Sequence, residues 1–140
     1  MKEELIMPKT SAGMKIKVLD PFQDAKTLWL GLDKPELNQI RKVFQLITPQ
    51  TVGSKHIMAG ITIFSPGEAS SLHNHPESEE MDVVIKGSGE VVDGNGNRRP
   101  FKEGDYMFIP EGEYHQHVNT GNEPLWLLWC YSPQGSLPED

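Results

Sequence analysis

Two histidine-bearing segments about forty residues apart restrict what this chain can fold into. The first runs Leu72-His73-Asn74-His75-Pro76-Glu77-Ser78-Glu79-Glu80, the second Pro110-Glu111-Gly112-Glu113-Tyr114-His115-Gln116-His117. Three imidazoles and a carboxylate at such spacings can close around one divalent metal ion, provided the intervening strands bring the two segments face to face. The rest of the chain is read as the box that holds such a site.

Strand parity orders the donors. His73 and His75 are two apart, so in extended chain both project from one face. Glu80 opens the next strand and shares a face with Asp82 and Val84, while Met81, Val83 and Ile85 take the other; that alternation turns Glu80 inward rather than Glu79. In the second segment His115 and His117 fall together, opposite Tyr114 and Gln116. His56 has no partner nearby in sequence and reads as a surface residue.

Length and punctuation agree with an all-β box. At 140 residues the chain has room for one domain with a core and not for two. Its 13 glycines and 11 prolines suit short strands joined by tight turns better than a helix bundle. Strand-like runs cover residues 14–19, 27–32, 42–47, 57–64, 81–86, 90–92, 105–109, 114–118 and 125–131. Asp93-Gly94-Asn95-Gly96 supplies the positive φ angles of a hairpin turn, and Lys34-Pro35-Glu36-Leu37 permits a short helix. Roughly ten such strands imply a barrel or sandwich. The glycines around residue 87 are followed by no helix and no Lys-Ser/Thr pair, which speaks against a nucleotide site.

Several function classes drop out on charge and composition. A formal charge of −7 and a pI near 5.2 oppose binding to nucleic acid or an anionic membrane. The single cysteine, Cys130, excludes an intrachain disulfide and suits a reducing compartment; with no spacing partner it reads as an inert buried thiol. The N-terminus lacks the apolar run of a signal peptide, and no stretch reaches the ~18 apolar residues of a membrane span, so a cytoplasmic location is expected.

Gly67-x5-His73-x-His75-x4-Glu80-x6-Gly87, followed by Gly104-x5-Pro110-x-Gly112-x2-His115-x3-Asn119, matches both halves of the cupin signature at every defining position. Over residues 67–119 the chain therefore resembles the cupin superfamily, and the flanking strands fit the same barrel. The resemblance implies an all-β, double-stranded β-helix (a jelly-roll barrel) over residues 41–132. Residues 1–40 would form an N-terminal arm with possible dimer-docking strands, its first twelve residues a tail or docking arm. Residues 133–140 would be a C-terminal tail lying against the surface.

By the same resemblance His73, His75, Glu80 and His115 would hold one divalent transition metal: Mn, Fe, Ni or Zn. Gly67, Gly87, Gly104, Pro110, Gly112 and Asn119 would shape turns and strand ends. A six-coordinate ion so held keeps two adjacent positions for a bidentate substrate, or for substrate and dioxygen. His117, two residues past a ligand and with an ordinary pKa near 6.5, is the first candidate for a cavity base. Asp82 is a candidate for acid–base work or for supporting a ligand. The final strand sorts Leu125, Leu127, Trp129 and Tyr131 from Trp126, Leu128 and Cys130; one set lines the barrel and the other packs outside, against a second subunit in a homodimer. The expected function is metal-dependent chemistry on a small oxygen-rich molecule. It would be a dioxygenase of the quercetin-dioxygenase-like kind, or a lyase or isomerase working through an enolate. A metal- or ligand-binding sensor without chemistry is the alternative from another class.

Overall fold

The computed structural model describes residues 13–135. Its strands are β1 (Lys26–Leu30), β2 (Arg41–Ile47), β3 (Met58–Phe64), β4 (Glu79–Lys86), β5 (Ser88–Asp93), β6 (Arg98–Lys102), β7 (Tyr106–Ile109), β8 (His115–Val118) and β9 (Leu125–Ser132). They form an antiparallel six-stranded sheet in the order β1-β2-β3-β9-β4-β7 and a three-stranded sheet in the order β6-β5-β8. Isolated bridges from Ala69 to Val118 and from His73 to His115 extend the smaller sheet along the segment between β3 and β4. The result is the expected double-stranded β-helix.

Alternating side chains fill the space between the sheets. Along β9, Leu125, Leu127, Trp129 and Tyr131 are buried while Trp126, Leu128 and Cys130 are only half-buried, which assigns the first set to the interior. Leu125 and Leu127 join Phe64 and Val84 of the larger sheet and Phe101 of the smaller in one cluster. Trp129 and Tyr131 join Leu30, Val43 and Met58 in a second. Burying each such side chain contributes roughly 1.5–3 kcal/mol; the first cluster ties the two sheets together through Phe101, and the second lies within the larger sheet.

Turn chemistry places the strand ends. The four signature glycines Gly67, Gly87, Gly104 and Gly112 all sit at positive φ. At Gly87 there is a second reason: a Cβ would stand 2.6 Å from the Pro124 carbonyl oxygen. Asn119, almost fully buried, donates from Nδ2 to the carbonyls of Phe64 and Glu123 (3.0 and 2.9 Å) and accepts from the Gly121 N–H at 2.9 Å. One amide thus ties the end of β3 to the loop after β8.

One sequence expectation needs correction, and one strand went unread. Residues 14–19 alternate lysine with apolar residues but form no strand; Ile16 and Val18 are 70% and 77% exposed. The alternation finds no buried face in either sheet, and without one its period fixes nothing. The short helix is a single 3-10 turn, Pro35–Leu37, closed by Asn38 in the left-handed region at φ 56. Conversely β6 was not foreseen, because Arg98-Arg99-Pro100 carries little strand propensity; as an edge strand it tolerates proline, which lacks a ladder N–H. β1 pairs along its whole length with β2 of the same chain. At the start of the tail Gln134 donates to the Ser54 carbonyl at 2.6 Å; the expected arm over residues 1–12 and the end of the tail, 136–140, lie outside the described residues. No helix among the described residues is long and apolar enough to cross a membrane.

Candidate metal centre

The site forms where the β3–β4 connection meets β4 and β8. His73 and His115 are bridged through paired backbone bonds of 3.0 and 2.8 Å, which brings the two distant histidine segments side by side. Glu80 enters from the start of β4, opposite Tyr131 on β9 and Ile109 on β7. His73, His75, Glu80 and His115 each present a ligand atom, and these atoms all lie within 4.8 Å of one another. Donors about 2.0–2.2 Å from a shared ion stand some 3–4.4 Å apart, so the spacing suits one metal.

The hydrogen bonds fix which atoms face inward. Nδ1 of His73 lies 2.8 Å from the Ser71 carbonyl, and Nδ1 of His115 lies 3.0 Å from the Glu113 carbonyl. A carbonyl only accepts, so each Nδ1 carries the proton and each Nε2 keeps its lone pair. His75 Nε2 and His115 Nε2 approach Glu80 Oε1 at 3.1 and 3.3 Å, and all three atoms are buried without a hydrogen-bonding partner of good geometry. Lone pairs and a carboxylate gathered in the interior lack only a cation.

Titration follows from the same geometry. Burial and the neighbouring His115 charge lower the His73 pKa to about 4, which leaves it a neutral ligand at pH 7. Burial pulls His115 down as well, but the Glu80 carboxylate outweighs it and the net shift is upward. Glu80 itself is opposed by burial, yet the close approach of His115, His75 and Asp82 holds it well below the usual carboxylate range.

Behind the ligands lies a second pair. Asp82 is 0% exposed and its Oδ2 stands 2.9 Å from His117 Nε2. Burial, then the charge of Glu80, push the Asp82 carboxyl well above its ordinary range, while burial takes His117 down to about 3. The pair therefore rests as a carboxylic acid bonded to a neutral imidazole. His117, expected near 6.5, is not half-charged at neutral pH, because nothing around it repays the desolvation of a cation. His56 is exposed, and burial raises the pKa of the Cys130 thiol.

Beside this cluster the barrel encloses a cavity of about 50 Å³. His73, Glu80, Asp82 and His117 line one part of it, and Arg41, Gln45, Trp129 and Tyr131 are among the residues lining the rest. Arg41 and Gln45 were missed in the sequence, whereas Trp129 and Tyr131 belong to one of the two β9 sets that it offered as the barrel lining. The signal was there for Arg41 and Gln45, which share inward parity with Val43 on β2, but it becomes readable only when the strand is known to begin at residue 41.

Similarity to known proteins agrees with this architecture. The family model described as a cupin domain matches residues 60–131, from β3 to β9. A polyketide synthase protein, CurC of Streptomyces cyaneus, is 37% identical over 93 residues, 66% of this chain and 60% of its own length. A gentisate 1,2-dioxygenase of Aquipseudomonas alcaligenes is 30% identical over 92 residues, 62% of this chain and 26% of its own. The crystal structure of a predicted oxalate decarboxylase from Thermotoga maritima superposes with a TM-score of 0.69 over 84% of this chain and 99% of that one; at 24% identity it speaks for the fold alone. The matched span contains the whole signature, and its glycines and histidines stand in the barrel where their chemistry requires them: the chain belongs to the cupin family.

Proposed function

We propose that this cupin binds one divalent transition metal through His73, His75, Glu80 and His115 and performs chemistry on a small, oxygen-rich organic molecule held in the adjoining cavity. The observation that carries the reading is the convergence of His75 Nε2 and His115 Nε2 on Glu80 Oε1, three buried atoms that form no hydrogen bond of good geometry. When bound, such an ion supplies Lewis acidity toward chelating substrate oxygens, and its identity among Mn, Fe, Ni and Zn is left to supply. The chain's own residues do the rest. His73 and His115 are held in register by their carbonyl partners. Asp82 keeps a proton beside the site and His117 keeps Asp82 in place, which suits proton delivery to an enolate-like oxygen or carbon.

Relatives described as a gentisate dioxygenase and as a Bacillus subtilis oxalate decarboxylase support an oxygen-rich acid or phenol as the substrate. Oxygen-dependent cleavage, in the manner of quercetin-dioxygenase-like cupins, and redox-neutral elimination or isomerisation both fit the site. The test is metal analysis of the purified protein, followed by oxygen uptake and product detection with catechols, flavonols and diketones. Oxygen consumption identifies a dioxygenase; product without it identifies a lyase or isomerase. Stoichiometric metal with binding but no turnover would favour the sensor reading, and protein that takes up no transition metal and ignores chelators would overturn the proposal.

A further inference from the structure

Two side chains of the cavity wall are polar, buried and unbonded. Gln45 is 7% exposed and Tyr131 4%, and both line the cavity. Among the described residues neither the Gln45 amide nor the Tyr131 hydroxyl forms a hydrogen bond. A buried donor or acceptor left without a partner costs more than an ordinary hydrogen bond returns, and folded proteins keep few of them. The contents of the cavity must supply the partner.

Register fixes where the two groups stand. Tyr131 pairs with Glu80 across β9 and β4, and its ring lies against that of His75 with centroids 4.1 Å apart, which sets it at the metal end. Gln45 lies two strands from β9, in one row with Gly60 and Trp129. At about 4.8 Å per strand, β2 and β9 are separated by about 10 Å across the sheet. Trp129 fills that interval. Its indole takes the space that Gly60 leaves, since a Cβ there would stand 2.5 Å from Trp129 Cζ2, and its Nε1 donates to Thr62 Oγ1 at 2.9 Å. The other side of the indole system is stacked on Tyr131 with ring centroids 5.0 Å apart. A fixed aromatic floor therefore separates a phenol at one end from a carboxamide at the other.

The two ends ask for different groups. A phenol donates one hydrogen bond and, beside a metal, suits an oxygen that is gaining negative charge. A carboxamide both donates and accepts, and a hydroxyl is the smallest group that answers both. A volume of about 50 Å³ admits roughly three to five water molecules, the room of one small ring.

We infer that the substrate is a single small ring or chain of similar size that carries, opposite its chelating oxygens, a hydroxyl received by Gln45, while Tyr131 donates to one of the chelated oxygens and Trp129 underlies the body between them. The role of Tyr131 rests on the metal reading above; that of Gln45 does not. Both are binding residues, and Gln45 sets specificity, because a guest without the hydroxyl leaves its amide buried and unpaired.

A matched pair of compounds tests this. Kojic acid and allomaltol share a chelating hydroxypyranone and differ only in a hydroxyl, carried by kojic acid on the methyl carbon across the ring. Titration calorimetry on the Zn²⁺-loaded protein is expected to show kojic acid bound about tenfold or more tightly. Gln45→Leu should abolish that preference, with the affinity for allomaltol within about twofold or improved and the zinc stoichiometry unchanged. Should Gln45→Leu not fold, Gln45→Met, which keeps the length of the side chain, should give the same loss. Tyr131→Phe should instead weaken both compounds alike, about three- to tenfold, and leave the preference intact. Equal binding of the two compounds by the unaltered protein, or no binding of either, would overturn the inference, and so would a Gln45 variant that keeps the preference. Unchanged affinities in Tyr131→Phe would remove Tyr131 from the chelated oxygen. Repeating the titrations after zinc removal separates the two readings: a preference that survives with both affinities unchanged would sink metal chelation and leave the hydroxyl subsite standing, whereas zinc-dependent binding without a preference would sink the subsite and leave the metal.

Discussion

His115 and His117 share a strand and a face, yet their neighbours give them opposite chemistry. Glu80 raises the pKa of His115 against its burial, whereas burial keeps His117 neutral as the partner of a protonated Asp82. Asp82→Asn keeps the size and removes the proton that the carboxyl holds beside the site; it is expected to lower metal affinity or turnover about 10–100-fold, with the metal stoichiometry at saturation unchanged. Equilibrium dialysis and single-turnover assays would read the two effects separately. Acid is the second lever. His73 and His117 fold with pKa values near 4 and 3, below the 6.5 of the unfolded chain, so unfolding takes up protons and stability falls as the pH drops from 6.5 toward 4. Asp82, raised by burial, works the other way over the same window because its proton is already bound in the folded state. The net expectation for metal-free protein is a loss of stability between pH 6.5 and 4, flattened by His73→Gln, measured as the urea midpoint against pH. The four proposed ligands were legible in sequence because a period of two and short spacings govern which face they take. The shifted pKa values were not, since burial is set by the other sheet.

Strands show a similar division between what local pattern dictates and what tertiary partners decide. β9 was readable because seven alternating residues find a buried face on one side, while residues 14–19 alternate as cleanly and find none. β6 went unread for the converse reason: two arginines and a proline form a strand because β5 offers a ladder from Ser88 to Val92. Asn119, read only as a shaper of strand ends, proves to be a clamp whose three hydrogen bonds join chain segments 55 residues apart. Truncating it leaves two carbonyls and an N–H to seek other partners in the interior. Asn119→Ala is therefore expected to cost about 2–4 kcal/mol by denaturant unfolding. The metal should partly restore the midpoint, because it binds the folded state only. A loss below about 1 kcal/mol would mean that water replaces the amide at all three positions.

At the scale of the whole molecule, the outer face of the larger sheet is apolar where it ends. Tyr106 and Phe108 on the edge strand β7 are 74% and 64% exposed, and their register partners Val83 and Met81 on β4 continue the patch. A homodimer was expected through whichever β9 set packs outside the barrel, and burial makes that Trp126, Leu128 and Cys130. In the structure Phe22 packs edge-on against Trp126 and Phe44, at 5.5 and 5.2 Å, so part of that face is already covered by the chain itself. The β4–β7 face has no such cover among the described residues, and an unpaired edge strand beside it invites a second copy. A net charge of −7 on each chain disfavours any contact made through the acidic remainder of the surface, which leaves an apolar patch as the place where association is least opposed. We therefore expect a dimer in solution joined through this face. Tyr106→Lys with Phe108→Lys should give a monomer by light scattering, with metal content unchanged, because both side chains point away from the barrel interior that holds Glu80 and Asp82. Substitution of Trp126 instead should leave the dimer intact. The reverse pattern, a monomer from the Trp126 change and a dimer that survives both lysines, would return the interface to β9.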